Sequence, residues 1–288
     1  MTTVRVIRGR SRDIGFTVRR LLPTLDVPAV GPFVFLDHMG PARFPDGSRD
    51  GDVRPHPHIG LATVTYLYDG AFEHRDSLGV FQRIEPGAVN LMTAGRGVVH
   101  SERIPADVRR DQMAVEGIQM WLALPQALER CEPAFQHYPV SSLPLSAQGP
   151  LALRVLIGTV NGLTSPVTVP SATVYADLHL HDAGTCELQV AYAERALYVA
   201  QGQLQLNGET VSAGELAVLP ADAPVQIACS EPARVMLLGG APLDGKRFLW
   251  WNFVASDKAL IEQAKREWQQ QQLGTIPGEH EFIPLPER

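Results

Sequence analysis

Four side chains of this 288-residue chain carry a recognisable chemistry. His56 and His58 flank a proline in RPHPHIG, and His100 and Glu102 flank a serine in GVVHSER. Residues i and i+2 of an extended strand point to the same face. Each pair therefore predicts two ligand atoms aimed inward from one strand. Two such strands facing each other across a barrel would bring three imidazoles and one carboxylate to a single point. Borderline divalent transition metals favour that set, with nitrogen donors for affinity and one anionic oxygen to reduce net charge. The absence of a thiolate argues against a closed structural zinc site. It suits Fe(II), Mn(II), Ni(II), Cu(II) or Co(II), with one or two positions left for solvent, O2 or substrate. His179 and His181 repeat the His-x-His spacing without a matching His-x-Glu partner and read as exposed strand residues.

The elements that must position these ligands read as strands. Hydrophobic residues make up 45% of the chain and charged residues 19%, which supplies a core and excludes a disordered chain. Gly 25 and Pro 23 suit short strands joined by turns. Residues 63–77 read as a hairpin turning at Asp69-Gly70, and residues 196–211 repeat that grammar with a turn at Asn207-Gly208. One stretch has helical periodicity: SDKALIEQAKREWQ, residues 256–269, puts Leu260, Ile261, Ala264 and Trp268 on one face. There Ser256 is the expected N-cap, and Glu262 precedes Arg266 at the i,i+4 spacing. A short helix or turn is expected near Pro125–Arg130.

The chain also carries a faint internal repeat. YLYDG at 66–70 aligns with YVAQG at 198–202, and PGAVNLM at 86–92 with AGELAVL at 213–219. Two tandem copies of one all-β unit follow, joined by the polar linker 126–150. Counting along the alignment, His56 and His58 map to Leu188 and Val190, and His100 and Glu102 to Ile227 and Cys229. Interior barrel positions are ordinarily apolar, so polar residues at all four places in the first copy need a cause. Metal coordination supplies it.

RPHPHIGLATVTYLYDGAFEHRDS followed by PGAVNLMTAGRGVVHSE resembles the pirin family of the cupin superfamily, and the similarity extends through LDHMGP, QMWLALP and RFLWWNFVAS. The resemblance implies an all-β bicupin: two tandem small β-barrels of jelly-roll type with a C-terminal α-helix. The expected division is 1–130 for a metal-binding barrel, 131–245 for a degenerate barrel, and 246–288 for a strand and helix tail. The family's metal ligands match His56, His58, His100 and Glu102 position for position. One divalent transition metal per chain is implied, Fe(II) first, with Cu, Mn, Ni, Co or Zn as alternatives. The chain departs from the family's usual HPHRGFETVTY at Ile59, Leu61 and Ala62. Position 62 is expected to share the inward face with 58 and 60, which would make the pocket less acidic and more apolar.

Two functions are implied. The first is a quercetin 2,3-dioxygenase-like oxygenase that opens a flavonol or similar enolisable aromatic with O2 and releases carbon monoxide, with Glu102 as the base. The second is a non-enzymatic, metal- or redox-sensing regulatory protein with a protein partner. A sugar isomerase is a weaker third reading, opposed by the apolar replacements. Outside the ligand set, His74 reads as a ligand-supporting or surface residue, Asp37 and His38 as a cavity-mouth or capping pair, and Trp250 and Trp251 as packing. Gly95 and Gly97 read as tight turns that place His100. Lys plus Arg total 25 against 31 Asp plus Glu, a net charge of −6, which argues against direct nucleic-acid binding. No apolar run approaches a bilayer span. The three cysteines (Cys131, Cys186, Cys229) form no framework, and with no apolar leader visible a cytoplasmic setting is expected.

Overall fold

The computed structural model describes residues 4–221 and 223–287. The fold is the all-β bicupin with one long C-terminal helix. Its two compact units interleave along the sequence. One comprises residues 12–18, 37–139 and 243–288; the other comprises the described residues of 1–11, 19–36 and 140–242.

The expected division at residues 130 and 245 is corrected by the strand pairing. Arg5–Arg8 forms an antiparallel edge on Glu215–Val218, so the amino-terminal strand belongs with the second copy. The segment expected as a linker is largely strand. Ala134–Tyr138 completes the first unit by pairing with Val89–Thr93, while Leu145–Gln148 pairs with Leu151–Ile157. The tail is no separate piece either, because it is built into the first unit.

In the first unit a small sheet runs in the order Val53–His58, Val98–Arg103, Phe72–Asp76, Phe81–Ile84. A larger sheet carries Ala134–Tyr138, Val89–Thr93, Leu61–Asp69 and Val115–Ala123 as successive neighbours. The Asp69-Gly70 turn is thus a corner rather than a hairpin. Leu61–Asp69 pairs within the larger sheet and Phe72–Asp76 within the smaller one. The chain switches sheets there because Gly70 takes φ +74°, a conformation that a side chain disfavours.

Gly60 makes a second corner between Val53–His58 and Leu61–Asp69. It has φ +68°, and a Cβ there would stand 2.0 Å from the Val254 carbonyl oxygen. Strand alternation does not continue through such a corner. Ala62 lies opposite Leu122, whereas its neighbour Thr63 shares the face of Trp121, whose ring meets His58. Ala62 therefore points away from the imidazoles, contrary to the expectation from counting. Ile59 packs instead with Val99, Phe253 and Trp268 behind the ligand strand.

The second unit repeats the plan. A seven-stranded sheet contains Glu194–Gln201 and Ala233–Gly240, and a four-stranded sheet runs Gly184–Leu188, Val225–Cys229, Gln203–Leu206, Glu209–Ser212. Asn207-Gly208 is a true two-residue hairpin, with φ 50° and 87° and Leu206 opposite Glu209. Strand pairing also corrects the ligand alignment by two residues. In the first unit His56 faces His100 and His58 faces Val98; in the second, Cys186 faces Ile227 and Leu188 faces Val225. Cys186 and Leu188, not Leu188 and Val190, stand where His56 and His58 do. Leu188, Ile227 and Cys229 belong to a continuous apolar core with Cys186 packed against it, so this barrel keeps its interior for packing.

The helix spans Lys258–Gln269 and buries Ile261, Ala264 and Trp268. Its N-cap is Asp257, whose Oδ1 accepts from the Ala259 amide at 2.8 Å. Ser256, the expected cap, instead donates its amide and hydroxyl hydrogens to the buried Glu129 carboxylate. Glu262 lies 2.6 Å from Lys265 at the i,i+3 spacing. The Asp257→Ala variant is expected to lose about 1 kcal/mol of stability, seen as a lower urea midpoint with an unchanged slope.

Candidate metal centre

His56, His58 and His100 converge on one point inside the first unit. Their strands are antiparallel with His56 directly opposite His100. Ring centroids lie 4.3 Å apart for His56 and His100 and 5.0 Å apart for the other two pairs. Each ring offers a nitrogen, and these atoms all lie within 4.8 Å of one another. All three residues are buried, at 7%, 1% and 1% exposure.

The hydrogen bonds fix which nitrogen is free. His56 Nδ1–H donates to the Arg54 carbonyl at 2.9 Å, and His58 Nδ1–H to the Asn252 carbonyl at 3.0 Å. Both rings therefore keep the Nε2 lone pair for a metal. His100 is set through a longer chain. Asp76 is fully buried, and its Oδ2 lies 3.0 Å from His74 Nε2. A carboxylate can only accept, so His74 carries its proton on Nε2 and presents the Nδ1 lone pair. His100 Nδ1 lies 3.4 Å from that atom and His100 Nε2 lies 3.1 Å from His58 Nε2, so the His100 hydrogen points to one of these two neighbours. Two backbone amides, from Leu78 and Val80, hold the other Asp76 oxygen at 2.9 and 3.0 Å. A support of this kind outside the ligand shell is worth about 10- to 100-fold in metal affinity. The His74→Gln variant is expected to bind metal more weakly by that factor, measured by competition with a chromophoric chelator.

Burial keeps these rings neutral. Desolvation lowers His56 to about 4, and desolvation together with the neighbouring imidazoles lowers His58 and His100 well below the ordinary histidine value. Neutral imidazole is the ligand form. Glu102 lies on the same strand as His100, but a register irregularity separates the two in their pairing with Val53–His58. Its carboxylate is not in the converging group of three. The side chain is 9% exposed, and among the described residues its carboxylate has neither a hydrogen-bond donor nor a cation. Desolvation alone raises its pKa to about 7. Three converging neutral imidazoles, with a buried, unpartnered carboxyl two residues along the His100 strand, fit a divalent metal ion, which would supply the missing charge.

His74 is thus a buried supporting residue. His38 is buried too, but its Nε2 lies 3.0 Å from Glu116 Oε1 and its ring meets Tyr68. His38 is not in the converging group. Trp250 and Trp251 pack with Phe253 and the helix. His179 and His181 are exposed on the second unit with rings 4.2 Å apart, outside the converging group. Gly95 takes φ +51° and would place a Cβ 2.1 Å from the Cys131 carbonyl oxygen, which suits its reading as a tight turn. Sequence reasoning missed Asp76 and Asn252. Asp76 stands two residues after His74 in EHRDS, a spacing that could have flagged it, whereas the Asn252 carbonyl acts across 194 residues with no local signal.

Comparison with known proteins bears on the same residues. The family model described as Pirin matches residues 15–122, and the one described as Pirin C-terminal cupin domain matches residues 175–274. A pirin-like protein of Caulobacter vibrioides is 43% identical over 286 residues, covering 98% of this chain and 99% of its own. The crystal structure of a quercetin 2,3-dioxygenase from Acinetobacter baumannii superposes with a TM-score of 0.91 at 34% identity, covering 99% of this chain and 95% of that one. A bacterial pirin from Escherichia coli in complex with nickel(II) shares the fold, with a TM-score of 0.65 at 16% identity over 84% of this chain and all of that one.

Proposed function

The chain belongs to the pirin family, and from that premise we propose that it is a metal-dependent oxygenase that cleaves a flavonol or similar enolisable aromatic with O2 and releases carbon monoxide. The observation that carries this reading is the convergence of three buried imidazoles on one point. The relationship to a quercetin 2,3-dioxygenase from Acinetobacter baumannii supports it. A divalent ion, Fe(II) first and Cu(II), Mn(II), Ni(II), Co(II) or Zn(II) as alternatives, would be held by His56, His58 and His100 with Glu102 as the anionic ligand. Bound there, it would polarise the substrate's enolic oxygen and bring O2 beside it.

The chain's own residues do the rest. Glu102 accepts the proton of the enolic hydroxyl at a carboxylate oxygen, with its proton affinity set by the bound ion. The supports on Arg54, Asn252 and His74 keep the three rings from turning. Trp121 stands edge-on to His58 at 5.1 Å, and Phe135 stacks on His74 at 4.5 Å. These rings form an aromatic wall for a planar substrate. Ile59 and Ala62 take no part in that wall, since neither residue faces the imidazoles.

The test loads purified protein separately with Fe(II), Cu(II), Ni(II), Mn(II) and Co(II) and supplies quercetin in air. Loss of the flavonol absorbance with stoichiometric carbon monoxide is expected for at least one metal. Turnover with none of the five would overturn the oxygenase reading.

A further inference from the structure

Four polar side chains cross the inner face of the larger sheet of the first unit in one rung. Gln119 lies opposite Thr65, Thr65 opposite Asn90, and Asn90 opposite His137. One two-residue step along the same strands lies a second rung, Trp121, Thr63, Met92 and Phe135. Directly opposed residues share a face, and so do residues two apart on a strand. The ring contacts of Trp121 and Phe135 with His58 and His74 therefore place both rungs toward the imidazoles. Beyond the polar rung, Leu67 joins Val115, Phe72 and Ile84 in an apolar cluster.

The hydrogen bonds of the polar rung are unevenly used. Thr65 Oγ1 donates to Gln119 Oε1 at 2.8 Å, and His137 Nδ1–H donates to Asn90 Oδ1 at 2.7 Å. Asn90 Nδ2 has no acceptor, although Asn90 is only 2% exposed. A buried amide hydrogen without an acceptor forfeits its hydration and gains nothing, and such groups are rare enough to need a cause. Neither rung contains a Lys or Arg.

We infer that the Asn90 amide is a substrate-recognition group that donates a hydrogen bond to a neutral or phenolic oxygen of an aromatic ligand seated against the Trp121–Phe135 rung. That oxygen lies roughly 7 Å from the end of the ligand nearest the imidazoles, the length of one two-residue strand step. With no cation in either rung, the acceptor is a carbonyl or phenol oxygen rather than a carboxylate or phosphate. His137 orients the amide by occupying Asn90 Oδ1, which turns Nδ2 to the ligand. The inference rests on the proposed oxygenase reading, and it names the group that selects an oxygen-bearing aromatic.

The test is quercetin binding to Zn(II)-loaded full-length protein under nitrogen, followed by tryptophan fluorescence. Asn90→Asp keeps an oxygen for His137 and removes the donor; Asn90→Leu removes both at similar volume. Both variants are expected to bind quercetin about tenfold more weakly, the factor that one hydrogen bond supplies, with metal content and urea midpoint near those of the unaltered protein. In the unaltered protein the Asn90 side-chain amide resonance is expected to move on adding quercetin, a readout that requires no variant. Unchanged affinity in correctly folded variants, or an unmoved resonance at saturating quercetin, overturns the inference. Asn90-dependent binding without carbon monoxide release in air overturns the oxygenase reading alone. Carbon monoxide release with an unaltered KM in Asn90→Asp overturns the Asn90 role alone. No quercetin binding by the unaltered protein overturns both.

Discussion

Replacing His56 or His100 by alanine is expected to reduce bound metal from about one ion per chain to nearly none after dialysis against a mild chelator. Each residue contributes one of only three imidazole nitrogens that converge within 4.8 Å, and their strands hold them in direct opposition. Losing a support outside the shell costs about 10- to 100-fold in affinity; losing a ligand nitrogen is expected to cost more. The variants are expected to remain folded, because neither residue belongs to the unit's apolar clusters. His179→Ala is the matched control, since that residue is exposed on the other unit, and its metal content is expected to be unchanged. Glu102→Gln tests the proposed fourth ligand separately, with weakened retention expected. Metal analysis of the four proteins side by side decides the matter. Full retention in His100→Ala would refute the centre, and full retention in Glu102→Gln would remove the carboxylate from it.

Acidification of the metal-free protein is expected to be strongly destabilising. An unfolded histidine titrates near 6.5, whereas burial lowers His56 to about 4 and lowers His58 and His100 well below the ordinary value. Between those values the unfolded chain binds protons that the folded chain refuses, so stability falls as pH falls. For His56 alone the shift corresponds to about 3 kcal/mol. Glu102 works in the opposite direction. Its folded pKa is raised from 4.5 to about 7, so its contribution is complete below pH 4.5 and is lost as pH rises through 7. That offsets about one imidazole, and the two others act in the same sense as His56. A net loss of stability is therefore expected between pH 6.5 and 4, read from urea midpoints across that range. A flat or rising profile would show that the rings are not buried neutral. Bound metal is expected to hold stability up until protons displace it.

The sequence alone was enough to mark the three converging imidazoles and the class of fold. His-x-His and His-x-Glu are readable because side chains alternate within one unbroken strand, and the count of Gly and Pro made a strand-rich chain the natural reading. The repeat revealed a second, apolar copy. Where that reading erred, it crossed a break in regularity. Ala62 was counted across the Gly60 corner, where alternation stops. Asp69-Gly70 has hairpin composition but joins strands of different sheets.

What only the tertiary structure decided is which partners the ligands have. The pairing of His56 with His100, the Asp76–His74–His100 chain, the Asn252 carbonyl behind His58, and the placement of residues 4–11 and 243–287 all depend on contacts between segments far apart in sequence. A residue's type and spacing express its local geometry and chemistry. The register between distant strands is set by the packing of whole sheets, and no single stretch of sequence contains it.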